Sequence, residues 1–505
     1  MVSDEINNNH IGNGDSMMTN GNGNVQQQQR QRVCIIGAGA AGLCALRHLN
    51  MRPDCFELTA FEQDDNIGGT WKFTEHVGMT PDGLPVHSSM YKNLHTNLPM
   101  EIMGYPDFPA KTNHSYVHHS VVMNYLVQYA KTFDLYRFIH FNHRIMYICR
   151  ENNEWLVTVK DVRKRQEFQQ IFDIILICTG RYSVPQWPKY DTIKNFKGKM
   201  LHSHDYRQPE DYIGERIAVI GGGLSGVDIS QECSRKCKEV IFVNNGQMRF
   251  QNMYPNVQQV DVKVEEFTEN SMLARDKDGN LIEYPVDTII MATGYVYNLK
   301  FVDPSVGIKM NPDGTIDGLY RHLINIENPS MALFAVSNRV LPLPLYHQQL
   351  LYLMKILLGE YKLPSKKVMI LDSEEDYRQR LARGLRPKDR HTLEVEMMEK
   401  YLDKLAEESK TKPLRKVIIK LHRDLYSVRK MDISNYKRFD YRLISDDEYV
   451  AIDKHTDMLA YTGRQGFLDW YYKNHPIGLQ MNEIETEKTT NANHSTGLVE
   501  SNGHP

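Results

Sequence analysis

Residues 33–42 read Val33-Cys34-Ile35-Ile36-Gly37-Ala38-Gly39-Ala40-Ala41-Gly42, an unbroken apolar run followed at once by glycines in the spacing G-x-G-x-x-G. The apolar run suits a parallel strand covered on both faces, and the helical pattern that continues to residue 49 supplies one cover. A glycine turn between strand and helix gathers bare backbone N–H groups and the positive end of a helix dipole, an arrangement that binds pyrophosphate. A single match of this kind often arises by chance. Here it recurs: Ile217-Ala218-Val219-Ile220 leads into Gly221-Gly222-Gly223-Leu224-Ser225-Gly226, with a helix running on through Val227 and Asp228 to Cys233. Each copy later reaches an apolar strand that ends in Thr-Gly, first at Cys178-Thr179-Gly180 and again at Ala292-Thr293-Gly294-Tyr295. This internal duplication predicts an α/β fold with two Rossmann-like dinucleotide-binding domains.

The copies differ at the tip of their second strand. In the first, Leu58 to Phe61 ends at Glu62-Gln63, about twenty residues past the last glycine, where an acid accepts hydrogen bonds from ribose hydroxyls and repels a 2′-phosphate. That suits FAD. In the second, Val240-Ile241-Phe242-Val243 ends at Asn244-Asn245, with no acid, so NADPH is permitted; Arg207 and Arg249 are the candidate cations for its phosphate.

The 505 residues exceed one domain, and the order of motifs predicts a division. A disordered polar tail (1–30) precedes the first part of an FAD-binding domain (31–212). An NADPH-binding domain (213–300) is inserted, the chain returns to the first domain (301–360), and a charged helical region (361–480) and a second polar tail (481–505) follow. A net charge of −3 gives no field for holding nucleic acid. There is neither a signal-peptide pattern nor an apolar run long enough to span a membrane, so a cytoplasmic protein is expected. The seven scattered cysteines read as buried thiols rather than disulfides or a zinc site, and no metal is called for.

Beyond the glycine turns, the chain carries Gly68-Gly69-Thr70-Trp71, Thr96-Asn97-Leu98-Pro99, and a segment between the two copies in which Phe196, Gly198, His202 and Tyr206 stand in the spacing F-x-G-x-x-x-H-x-x-x-Y. With these motifs, residues 32 to 355 resemble the flavin-containing monooxygenase family, the class B flavoprotein monooxygenases that oxygenate nitrogen and sulfur. Baeyer–Villiger relatives usually have Trp and then Pro or Asp where this chain has Tyr206 and Arg207. The resemblance implies FAD, NADPH and O2, with oxygen delivered to a small amine or sulfide through a C4a-hydroperoxyflavin. It also places Asn97 beside the flavin and the nicotinamide as the catalytic amide, and Thr96, Leu98, Gly69, Thr70 and Trp71 around the cofactor.

Taken on residue chemistry alone, Asn97 is better read as a turn asparagine before Leu98-Pro99, and Trp71 is equally a core residue. His202 and Tyr206 suit hydrogen bonding across a moving interface, a structural or gating role being favoured over proton transfer. Gln349, on a late apolar helix from Gln348 to Leu358, either approaches the flavin edge or faces solvent. A disulfide reductase would place redox cysteines after Gly68-Gly69-Thr70, where this chain has Trp71-Lys72-Phe73. Ketone oxygenation and a non-catalytic FAD/NADP redox sensor stand as alternatives, and a homodimer is compatible with the sequence.

Overall fold

The computed structural model describes residues 29–244, 250, 253–454 and 458–462. Nearly all of the two expected polar tails, and Arg249, lie outside the described residues.

Two sheets organise the chain. The first has seven strands in the order Leu319–Tyr320, Ile324–Asn325, Met331–Leu333, Ile174–Ile177, Gln31–Ile36, Phe56–Glu62 and Ile139–Phe141. Its strands from Met331–Leu333 onward are mutually parallel, while the short edge pair is antiparallel. The second is five parallel strands, Val257–Val260, Glu239–Val243, Arg216–Ile220, Thr288–Met291 and Lys199–His202. The chain therefore leaves the first sheet after Ile174–Ile177, builds the second, and comes back through Met331–Leu333.

Alternation along each central strand explains its apolar run. Val33 and Ile35 point into a core shared with the helices, whereas Cys34 and Ile36 join a different core around Trp155, Val157 and Phe172. The second sheet repeats this: Ile217 and Val219 enter the helical core, and Ala218 and Ile220 meet Val262, Val264 and Phe267. Both second cores are roofed by three-stranded antiparallel ribbons. His143–Glu151, Glu154–Asp161 and Gln166–Phe172 cover the first sheet; Val262–Phe267, Ser271–Asp276 and Leu281–Pro285 cover the second. In the first ribbon Trp155 to Val159 alternates cleanly, while the second ribbon's strands mix charged residues into both faces.

Where the chain crosses between sheets, its two passes pair. Val184–Pro185 lies antiparallel to Tyr295–Val296, Gln186 N–H donates to the Gly294 carbonyl at 2.9 Å, and Thr293 Oγ1 donates to the Gln186 carbonyl at 2.6 Å. This corrects one boundary. Lys199–His202 belongs to the second sheet through its pairing with Thr288–Met291, so the second unit begins near the crossing at residue 185 rather than at 213.

Two other expectations need revision. The late helix spans Pro342–Leu357 and starts earlier than read from its apolar pattern, because proline in the first turn costs no hydrogen bond. The C-terminal region holds three helices, Lys366–Ala382, Val395–Ser409 and Lys416–Met431, but ends in an antiparallel sheet of Phe439–Leu443, Tyr449–Asp453 and Met458–Thr462. That sheet docks on the segment behind Asn97: Ser115 N–H donates to Asp440 Oδ1 at 2.8 Å, and Ser115 Oγ accepts from Tyr441 N–H at 2.7 Å. Among the described residues no helix is long and apolar enough to cross a membrane.

Candidate active site

Both glycine turns are fixed by close packing. Gly37 has φ of 99°, and a Cβ on it would sit 2.8 Å from the Cys178 carbonyl oxygen; one on Gly42 would sit 1.9 Å from that of Gly37. Gly221, with φ of 130°, and Gly226 repeat the arrangement against Ala292 and Gly221 at 2.2 and 1.9 Å. The first and last glycines of each motif thus let strand, turn and helix touch. The middle ones do something else. Gly39 and Gly223 are the N-caps of helices Ala40–Leu49 and Leu224–Cys233, and neither helix has a side chain capping its free N–H groups or an acid in its first turn. Those N–H groups are left for an anion.

Both helix starts open on one cavity of about 1730 Å³. Pockets that hold one drug-sized ligand measure roughly 300 to 1,000 Å³, so this space exceeds what one such ligand needs. Its lining includes Gly37, Gly39, Ala40 and Ala41 of the first turn, and Gly223, Ser225, Val227 and Asp228 of the second. Between them lie Glu62, Gln63, Gly69, Thr70, Trp71, Thr96, Asn97 and Leu98. Of the other residues read as cofactor-binding, Ala38 and Gly221 lie inside the turns and Gly42 and Gly226 in the helices that follow, none of them on the cavity wall.

Glu62 ends its strand 5% exposed, accepting from Ala38 N–H at 2.7 Å and Asp64 N–H at 2.9 Å. Burial pushes its carboxyl above the ordinary value, against the pull of those two donors and of His87. The carboxylate is therefore part of the turn as well as a wall of the cavity. Thr96 is buried and pairs with Val117 twice: its N–H donates to the Val117 carbonyl at 2.8 Å and its Oγ1 accepts from Val117 N–H at 3.1 Å. This anchors the adjacent Asn97, whose side chain makes no hydrogen bond among the described residues and lines the cavity.

Of the segment Phe196 to Tyr206 only Ser203 lines the cavity; Phe196, Gly198, His202 and Tyr206 do not. Phe196 packs on Phe267, and a Cβ on Gly198 would lie 2.3 Å from the Asp287 carbonyl oxygen. His202 is fully buried edge-on to Tyr295 at 5.2 Å, with its Nδ1 accepting from His204 N–H; burial pulls its imidazole down to about 4. Tyr206, equally buried, donates to Glu232 Oε2 at 2.6 Å. Glu232 in turn is pushed up to about 7 by burial.

Two expectations fail. Arg207 is not free to meet a phosphate: it is 7% exposed, and its guanidinium donates to the carbonyls of Thr74, His76, Ser88, His204 and Tyr206, which uses its whole donor set. It clips the segment 74–88 to the crossing. Gln349 is neither at the flavin edge nor in solvent. It is 2% exposed and donates to Tyr401 Oη at 2.9 Å; the late helix lines the cavity instead through Pro342, Leu343 and Tyr346.

Sequence reasoning also missed the C-terminal contribution. Lys437 Nζ donates to the His95 carbonyl at 3.1 Å and lies 3.5 Å from Asp228 Oδ1, while Tyr91 Oη hydrogen-bonds the other oxygen of Asp228. Gln231, one turn along the same helix, donates to Ser434 Oγ at 3.3 Å. Arg429 and Lys430 of the adjoining helix line the cavity. No local pattern announces these residues, because their partners are more than 200 positions away.

The fold and this cavity define an α/β protein in which two glycine turns open on one cavity. The chain belongs to the flavin-binding monooxygenase-like family, whose model matches residues 30–250 and 242–451. It is a monooxygenase, an oxidoreductase that works with FAD and NADPH. It is similar to senecionine N-oxygenase of Tyria jacobaeae, at 28% identity over 83% of this chain and 91% of that protein. Trimethylamine monooxygenase of Methylocella silvestris is 28% identical over 66% of this chain and 75% of its own length. The structure of S-allyl-L-cysteine S-oxygenase from Allium sativum superposes with a TM-score of 0.74 at 29% identity, covering 81% of this chain and 95% of that one. The uncapped helix starts and the breadth of the cavity fit two dinucleotides.

Proposed function

We propose that the chain oxygenates a nucleophilic nitrogen or sulfur of a small molecule, with FAD in the first crevice and NADPH in the second. The observation that carries this reading is the single cavity onto which both uncapped helix starts open, with Asn97 on its wall. Relatives named for N-oxygenation and S-oxygenation support the choice of acceptor atom. The two glycine-turned units are read as Rossmann-type domains, the second inserted in the first.

When bound, FAD supplies the redox ring that takes hydride and activates O2. The protein's part is placement. The N–H groups after Gly39 and Gly223 hold the two pyrophosphates, and Glu62 accepts from the ribose hydroxyls of FAD. The Asn97 amide donates a hydrogen bond beside the reacting ring without titrating. The apolar wall given by Trp71, Leu98, Leu343 and Tyr346 limits water where oxygen is transferred.

The test is product analysis after incubation of the FAD-loaded chain with NADPH, O2 and a panel of tertiary amines, thioethers and ketones. Stoichiometric N-oxide or S-oxide is expected. Ester products, or NADPH binding without turnover on any acceptor, would overturn the reading.

A further inference from the structure

Three metal-ligating side chains from remote parts of the chain converge at a place that the cavity does not touch. His48 closes helix Ala40–Leu49, His347 lies in the second turn of helix Pro342–Leu357, and Asp107 sits in the turn bridged by Tyr105 and Phe108. His48 Nε2 is 3.1 Å from His347 Nδ1, which is 3.4 Å from Asp107 Oδ1, and the three ligand atoms all lie within 4.8 Å of one another. None of the three residues lines the nucleotide cavity.

Hydrogen bonding leaves this cluster incomplete. Two neutral imidazoles share one proton between Nε2 of His48 and Nδ1 of His347. If His48 carries it, the lone pair of His347 faces both that proton and the carboxylate; if His347 carries it, two acceptors compete for one N–H. A divalent cation satisfies all three lone pairs at once. Ligands held about 2.0 to 2.2 Å from a cation stand roughly 3.0 to 3.5 Å apart around an octahedron or tetrahedron, the spacing of the two measured edges here. Arg47 Nε lies 3.9 Å from the other carboxylate oxygen, Asp107 Oδ2, and leaves Oδ1 turned to the imidazoles. His48 is buried, but the side chains of His347 and Asp107 keep 13% and 22% of their surface exposed, so an ion has a path in.

We propose that His48, Asp107 and His347 form a divalent first-row metal site, of zinc type, with water completing the coordination. Its place in the fold gives it a structural role. It ties the end of the helix that begins at the FAD turn to the late helix 299 positions on and to the 105–108 turn. Metal binding to the folded chain alone then adds to stability without altering the reaction cavity.

The test uses the full FAD-loaded chain, stripped with a chelator and dialysed against Zn(II), alongside Asp107→Asn and His347→Gln. Expected are one Zn(II) per chain, affinity at least about tenfold weaker in either variant, and a rise in Tm with Zn(II) that both variants lack. Retained FAD absorbance certifies that each variant is folded. Equal Zn(II) binding in the wild type and both folded variants means surface adsorption, and overturns the site. Binding by the wild type only at millimolar Zn(II) leaves an imidazole–imidazole hydrogen bond, and overturns it equally.

Discussion

The two crevices share a backbone and differ in what surrounds it. Over the first turn, a Cβ placed on Gly39 would meet the Cα of Gly69 at 3.6 Å, and Glu62 closes the strand tip by bonding Ala38 and Asp64. Over the second, a Cβ on Gly223 would meet nothing within 4 Å, and the strand ends at Asn244 without an acid. The first crevice is roofed by the Gly69 backbone, and the second has no such roof. A cofactor that stays through turnover belongs under the roof, and one that must enter and leave at every cycle belongs in the open crevice. The same duplicated unit has thus been specialised by its neighbours rather than by its glycines.

The sharpest way to break that contrast is to put one side chain on each middle glycine. Gly223→Val should fold normally, since φ at Gly223 is −77° and the space above is clear, yet lose NADPH affinity while keeping FAD. Two charge-assisted hydrogen bonds lost from a pyrophosphate, at about 2 kcal/mol each, correspond to roughly a 1,000-fold weaker Kd. Gly39→Val should do the reverse, giving a chain purified without its yellow colour that still binds NADP+. Titration calorimetry with NADP+ and the flavin absorbance of each variant decide it; a Gly223→Val chain with wild-type affinity for NADP+ removes the second crevice from nucleotide binding.

Next in size is a pH effect confined to the open side. Glu232 is buried beneath Tyr206, and its carboxyl is raised to about 7, chiefly by burial. A carboxyl raised in the folded state stabilises the protein when protonated. That contribution is full below the unfolded value near 4.5 and fades as pH rises through about 7. The difference is about 3 kcal/mol. Glu232→Gln, uncharged throughout, should flatten the fall in stability between about pH 4.5 and 7 relative to wild type. Urea unfolding across that range gives the answer; parallel curves for the two proteins would falsify the assignment.

These contrasts also mark what a sequence can disclose. The glycine turns and Glu62 were legible because each requirement is local: a positive φ, a missing Cβ, an acid at a strand tip; the Thr96-Asn97 pair was marked only by the family resemblance. Arg207, Gln349 and Lys437 were not. Arg207 matched the profile of a phosphate ligand until its five carbonyl partners, drawn from residues 74–88 and 204–206, were seen to use every donor it has. Gln349 sits on an apolar helix whose partner helix, bearing Tyr401, has no signature. Strand Lys199–His202 was assigned to the wrong unit because parallel pairing depends on a neighbour 89 positions away in Thr288–Met291, and nothing local records it.

A smaller effect is expected where the crevices meet. Asn97 belongs to neither turn, and its amide has no protein partner among the described residues. Asn97→Ala should retain FAD and NADPH binding but uncouple the reaction. Product formed per NADPH should fall about tenfold, the equivalent of one lost hydrogen bond of roughly 1.4 kcal/mol, with hydrogen peroxide released in its place. Assaying NADPH, product and peroxide together checks this, and an unchanged coupling ratio takes the amide out of the reaction.

The smallest effect sharpens the comparison most, because it concerns how the open crevice is held to the roofed one. Lys437 reaches from the C-terminal segment to the His95 carbonyl on one side and to Asp228 on the other, so its ammonium joins the Tyr91 hydroxyl in holding the helix of the second unit against the segment that carries Asn97. Its side chain is 26% exposed and its carboxylate partner 31%, and partly exposed pairs contribute only about 0.2 to 1 kcal/mol. Lys437→Met should therefore leave FAD content and Tm nearly unchanged, yet slow reduction of the flavin by NADPH about threefold, since a small shift between the units lengthens the hydride path. Lys437→Arg, which keeps both contacts, should restore most of the rate. Rapid-mixing measurement of flavin bleaching separates the cases. If the methionine variant is reduced as fast as wild type, the geometry between the crevices is set without Lys437, by contacts such as the paired crossing at Val184–Pro185 and Tyr295–Val296 and the Tyr91–Asp228 hydrogen bond.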